Sequence, residues 1–206
     1  MMSKLIVSDV SISFGGLKAL DSVSFDVKQG EIRGIIGPNG AGKTTMLNVI
    51  SGINKADSGK ITFDGTLLTG LKINKIASKG IGRTFQTTKL FKGMTVLENV
   101  MTGAHSQLHA NPFSAAFNFP FVAKEEKQAA DQAYEVLEFM RMERFADHQA
   151  TLLSFGQQRL VEIARVLVGK PQVLLLDEPA VGLSVTRVGE VEDLLKRIRQ
   201  EWGITI

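Results

Sequence analysis

"EIRGIIGPNGAGKTTMLNVISG", residues 31–52, decides the fold of this chain. Its first seven residues form a short, mostly apolar run ending in glycine, expected as a buried strand. The eight residues from that glycine on, Gly37, Pro38, Asn39, Gly40, Ala41, Gly42, Lys43 and Thr44, fit G-x-x-x-x-G-K-[ST] without a mismatch. Residues 44–51 are expected to form a helix that stops at Gly52. A strand, a glycine-rich loop and a helix in that order are the context in which this pattern binds phosphate. Glycines at 37, 40 and 42 let successive backbone N–H groups point inward, and the start of the helix adds its positive end. Lys43 is expected to reach the β- and γ-phosphates, and the Thr44 hydroxyl to coordinate Mg²⁺. A nucleoside triphosphate is the expected ligand.

Outward from the loop, residues 5–14 alternate between apolar and polar types, as does "ALDSVSFDVKQGE", so two strands joined at Gly15-Gly16 are expected. "GKITFDG" reads as another strand. Residues 106–121 are irregular. From 124 to 140 a helical period returns, with Ala129, Ala133, Val136 and Met140 on one face. "VLLLDEP" has strand length, and Val188, Val191, Leu194, Leu195 and Ile198 line a helix ending near Gly203. Strands alternating with helices indicate an α/β core with a parallel sheet.

Asp177 and Glu178 close the apolar run "VLLLDE", at the edge where open parallel sheets bind ligands. Asp177 is suited to hold Mg²⁺ through water, and Glu178 to polarise a water for attack on the γ-phosphate. A second small-residue helix start occurs at "LLSFGQQRLVEIARVL", residues 152–167. Ser154 and Gln157 have capping-box spacing before an apolar face of Leu160, Ile163, Ala164 and Leu167. A cap does not require Gly156, however. The same loop is also a γ-phosphate site without a lysine, and since residues 37–44 already hold this chain's phosphates, it is expected to serve the nucleotide of another copy.

Other patterns lead nowhere. "NKAD", residues 54–57, matches a guanine-reading motif, but it begins eleven residues after Lys43, too close to read the base. His105 and His109 have helical metal-ligand spacing, yet no cysteine or H-E-x-x-H glutamate joins them, and ordinary surface histidines are expected. The 24 basic and 21 acidic residues give a net charge of +3, too balanced for a nucleic-acid footprint. The absence of cysteine excludes a disulfide scaffold. No signal-peptide core precedes Asp9 and no run approaches the ~20 apolar residues that span a bilayer, so a soluble chain is expected.

"GPNGAGKTT", "LSFGQQ" and "VLLLDEP", in this order and spacing, resemble the ABC-type ATPase family. The resemblance implies one P-loop NTPase domain over residues 1–206, with an N-terminal antiparallel β subdomain and a helical subdomain at about 87–168. It implies ATP and Mg²⁺ as cofactors, with Gly37 through Thr45 on the phosphates and Thr44, Gln86 and Asp177 at the metal. Gln86, in "GRTFQ", matches the loop glutamine that senses Mg²⁺ and the attacking water and contacts the membrane subunit. Phe14 holds the place of an aromatic that stacks on adenine, although burial in the strand suits it equally. Two such domains meet head to tail, with Ser154, Gly156 and Gln157 closing the other domain's ATP.

"FGGLKALDSVSF" and "GRTFQTTKLFKGMTVLENVMTGAH" further resemble the ATPase subunit of branched-chain amino acid importers, from about residue 5 to 202. That likeness implies transmembrane permease subunits, indirectly a periplasmic or extracellular solute-binding protein, and a peripheral position on the cytoplasmic face of the membrane. Phe113, Phe117, Phe119 and Phe121 are expected in an arm that contacts the permease, or in a small local core. Phe155 and Ser184 depart from the family's usual residues. The family's switch histidine belongs shortly after Ile206 and is expected to be absent, with hydrolysis weakened. Two alternatives accompany this reading: a fragment that binds nucleotide without turnover, and a soluble ABC ATPase acting on ribosomes or DNA. The second needs a tandem domain or a coiled coil, for which 206 residues leave no room.

Overall fold

The computed structural model describes residues 3–84, 90–107 and 120–206. They divide into two compact bodies, one of Met1–Arg83, Gln172–Asp177 and Leu195–Ile206, the other of Thr84–Pro171 and Glu178–Leu194.

In the first body, β1 (Ser3–Phe14) and β2 (Leu17–Lys28) form an antiparallel ribbon turning at Gly15-Gly16, as the alternation indicated. β3 (Ser58–Phe63) pairs with the other edge of β1, and β4 (Thr66–Leu67) with β3. The buried residues of β1 change parity along the strand: Leu5 and Val7, then Val10 and Ile12. A strict two-residue period would turn one pair to solvent. The change is made at Asp9, whose φ is 49° and where the pairing with β2 shifts register between Val7 and Val10. Ser24 pins this bulge: its hydroxyl accepts from the Asp9 N–H at 2.8 Å and donates to Asp9 Oδ1 at 3.0 Å.

α1 (Lys43–Ile50) buries Met46, Leu47, Val49 and Ile50 in a core shared with Ile61, Phe63, Ile81 and Val173. α2 (Ile73–Ala77) adds Ile76. β5 (Ile81–Arg83) and β6 (Val173–Leu175) make the parallel sheet, with Arg83 opposite Leu175. Thr205 bridges to Val173 in parallel, and the Leu174 N–H donates to its carbonyl at 2.8 Å.

The expected buried strand at residues 31–37 is a correction. These residues are not a strand, and Ile36 is 95% exposed. They meet Ile206 across the chain: the Arg33 N–H donates to the Ile206 carbonyl at 2.8 Å, and the Ile206 N–H to the Glu31 carbonyl at 2.9 Å. An apolar run becomes a buried strand only where neighbours cover both faces, and apolarity alone does not supply them.

The second body is helical. α3 (Val96–Met101) packs against α4 (Pro120–Phe139) and α5 (Phe155–Leu167), which also touch each other. Ala129, Ala133, Val136 and Met140 are buried, as their period predicted, as are Ile163, Ala164 and Leu167 of α5. α5 also buries a charged pair, Arg159 Nη1 donating to Glu162 Oε2 at 2.9 Å. α6 (Val185–Trp202) belongs to this body as far as Leu194. Phe113, Phe117 and Phe119, and the Phe121 side chain, lie outside the described residues. Among the described residues no helix is long and apolar enough to cross a membrane.

Candidate functional site

Three helices show how the sequence treats its helix starts. α3 and α5 carry full capping boxes, Thr95 with Glu98 and Ser154 with Gln157. α1 has Gly42 at its N-cap, no side-chain cap and no acidic residue in its first turn. Its leading N–H groups are therefore left for an outside acceptor, and no acidic residue of the helix itself repels an anion there. Gly42 has φ 85°, and a Cβ on it would lie 2.5 Å from the Ala19 carbonyl oxygen of β2. Only glycine meets both demands.

Pro38 accepts from the Ala41 N–H at 3.2 Å, closing a turn through Asn39 and Gly40. Lys43 lies across this turn: its Nζ donates to the Gly37 carbonyl at 2.8 Å and the Pro38 carbonyl at 3.0 Å. An ammonium has three donors, and any phosphate in the loop competes with these carbonyls for them.

Asp177 follows β6 and is buried. The Thr44 hydroxyl donates to its Oδ1 at 3.2 Å. Its Oδ2 is buried without a hydrogen bond, 3.6 Å from Arg83 Nη2. Arg83 Nη1 donates to Ser51 Oγ at 2.7 Å. Burial pulls the Arg83 guanidinium below its ordinary pKa, and the Asp177 charge opposes that pull. Among the described residues no three His, Cys, Asp or Glu gather as a metal cage. One hydroxyl and one carboxylate with an unsatisfied oxygen fit Mg²⁺, which keeps waters and takes phosphate oxygens as its other ligands.

Phe14 is 48% exposed beside the ribbon turn. The burial alternative for it therefore falls, and its ring is accessible for stacking. Gln86 lies outside the described residues, as do His109 and the His105 side chain. In "NKAD", Asp57 is a tether: its Oδ2 accepts from the Ser13 N–H at 2.8 Å.

In the second body, the Ser154 hydroxyl accepts from the Gln157 N–H at 3.4 Å and donates to Gln157 Oε1 at 2.9 Å. Gln157 Oε1 also accepts from the Ser154 N–H at 3.0 Å. To serve a phosphate, the Ser154 proton must turn outward while its oxygen keeps the cap. A Cβ on Gly156 would meet Leu183 Cδ2 at 3.1 Å, and one on Gly182 would meet the Phe155 ring at 3.3 Å. Residues 155–156 and 182–183 thus interlock, which is a packing reason for Gly156 beyond the cap. Glu178 is a non-glycine residue at φ 50°, directly before Pro179. Such a backbone costs about 1–2 kcal/mol and persists where its surroundings impose it.

Arg83 and the Arg159–Glu162 pair escaped the sequence reading. The available signals were an arginine ending a short apolar strand and opposite charges three apart on an apolar helix.

The family model described as ABC transporter matches residues 20–181. The high-affinity branched-chain amino acid transport ATP-binding protein BraF of Pseudomonas aeruginosa is 39% identical over 98% of this chain and 79% of its own length. The crystal structure of the ADP conformation of an ATP-binding cassette of an ABC transporter superposes with a TM-score of 0.83 at 34% identity, covering 100% of this chain and 80% of that one. A dimeric post-hydrolysis cassette bound to ADP and Pi gives a TM-score of 0.79 at 30% identity, with coverage of 98% and 85%.

Proposed function

Because the chain belongs to the ABC transporter family, we propose that it is the ATP-binding and ATP-hydrolysing subunit of an importer for branched-chain amino acids. The observation that carries this reading is the bond from Thr44 to Asp177, which joins the phosphate loop to the acid that follows β6. The substrate class rests on BraF and on relatives of similar name.

In this reading Gly37, Pro38, Asn39, Gly40, Ala41 and Gly42 present backbone N–H groups to the phosphates, except at the proline nitrogen. Lys43 exchanges its carbonyl partners for the β- and γ-oxygens, and Thr44 and Thr45 complete the loop. Phe14 stacks on adenine. Thr44, Asp177 and Gln86 would hold Mg²⁺, which would supply positive charge against the phosphates. Glu178 takes the proton of the attacking water and Gln86 orients that water.

A second copy of the chain, set head to tail, brings Ser154, Gly156 and Gln157 to the γ-phosphate. In support, Leu152, Phe155, Val181 and Val185 of the second body are exposed apolar side chains, two of them in or beside the "LSFGQQ" loop. The dimeric cassette noted above is a further support. Permease subunits receive the force of closure, at the cytoplasmic face of the membrane, and a solute-binding protein delivers the amino acid from the other side.

Co-expression with permease subunits of a branched-chain amino acid importer tests this reading. Copurification and permease-stimulated MgATP hydrolysis are the expected results. Association with ribosomes or DNA instead would contradict it.

A further inference from the structure

We propose that Arg83 positions the Asp177 carboxylate for its metal ion and thereby sets how much Mg²⁺ the nucleotide site requires. The inference rests on the reading of Asp177 as a metal-holding group. Arg83 ends β5, and its pairing with Leu175 puts it at the same sheet edge as Asp177. Both side chains are almost fully buried, 7% and 3% exposed. Nη2 stands 3.6 Å from Asp177 Oδ2, while Nη1 donates to Ser51 Oγ at 2.7 Å. Ser51 is the C-cap of α1, and Thr44, in the first turn of the same helix, donates to the other Asp177 oxygen. One guanidinium therefore addresses the far end of α1 directly and the near end through the carboxylate.

The distance decides what Arg83 does. A tight bidentate pair would saturate the carboxylate and compete with a metal ion. At 3.6 Å the guanidinium draws Asp177 into one orientation, yet Oδ2 keeps no hydrogen bond. The carboxylate is aimed, with an oxygen left over. Only arginine's rigid fork serves two partners in this way, since the lysine ammonium is a point charge on a flexible stem. Groups that orient a metal ligand commonly change metal affinity by about 10–100-fold.

The test is ATP affinity by calorimetry, across a Mg²⁺ series and in EDTA, for the wild type and for Arg83→Met, Arg83→Lys, Ser51→Ala and Asp177→Asn. Arg83→Met should raise the Mg²⁺ concentration for half-maximal tightening by about tenfold or more, with affinity in EDTA unchanged. Arg83→Lys should fall between the two. Ser51→Ala, which keeps the charge and loses its anchor, should shift less but in the same direction; if Arg83→Met does not fold, this variant decides. An unchanged requirement in Ser51→Ala and Arg83→Met overturns the proposal, and so does a lowered one, which would make Arg83 only a repelling charge. Asp177→Asn separates the two claims. If it leaves the requirement unchanged, the metal reading of Asp177 fails; if it alone shifts, that reading stands and the role of Arg83 falls.

Discussion

Thr44 donates its hydroxyl proton to Asp177 Oδ1 at 3.2 Å, across 133 residues of sequence. Neither residue has chemistry alone. Together they put a hydroxyl and a buried carboxylate at the start of a helix whose N–H groups have no side-chain cap. Expectations for individual residues follow from this arrangement.

Gly42→Ala should be far more damaging than Gly156→Ala. At Gly42 an alanine meets positive φ, worth about 1–2 kcal/mol, and the rigid Ala19 carbonyl. At Gly156 it meets only the tip of the Leu183 side chain, and better helix propensity offsets that by up to about 1 kcal/mol. Denaturant unfolding should therefore rank Gly42→Ala as clearly destabilised and Gly156→Ala as near wild type. The reverse order would mean that the Gly42–Ala19 approach is not constraining.

Ser154 can be tested in two parts. Ser154→Ala removes the cap and should cost about 1 kcal/mol. Ser154→Asp keeps a good cap but sets a negative charge where the γ-phosphate of the other copy is proposed to lie. Its stability should be retained and its phosphate release should fall sharply. Wild-type turnover in Ser154→Asp would remove Ser154 from the trans site.

Glu178→Gln keeps the shape of the side chain and loses the base. ATP affinity should be unchanged, turnover should fall about 10²–10⁴-fold, and an ATP-bound dimer should accumulate. Light scattering at saturating ATP reads the dimer. A mutant that stays monomeric and keeps hydrolysing would exclude Glu178 as the base.

Arg159→Met should destabilise the helical body by about 3–5 kcal/mol, the scale for breaking one side of a buried ion pair, with Arg165 near Glu162 moderating the loss. Arg159→Met combined with Glu162→Met should recover most of it, because two apolar groups need no pairing. A double variant as unstable as the single one would mean that the pair does more than balance charge.

Much of this molecule was readable in residue types. The phosphate loop was legible because its glycines are spaced by backbone geometry, and the capping box at Ser154 because its bonds are local. The helix stripes at Ala129–Met140 and Ile163–Leu167 were legible because burial follows the helical period. What escaped was non-local. Residues 31–37 looked like a buried strand, but they form none, and Ile36 is 95% exposed. The parity change at Asp9 depends on Ser24 of the neighbouring strand. Arg83 was not singled out, since nothing near it in sequence announces Asp177 or Ser51. Likewise Gly156 is partly explained by Leu183, 27 residues on, a contact that no local pattern encodes.

The central claim is that ATP hydrolysis by this chain drives amino acid uptake. Its most direct test is the chain assembled with its permease in proteoliposomes, supplied with the cognate binding protein and labelled leucine. MgATP on the side of the ATPase should drive leucine accumulation together with phosphate release, and both should vanish in Lys43→Ala. Phosphate release that ignores leucine-loaded binding protein, or uptake that persists in Lys43→Ala, would contradict it.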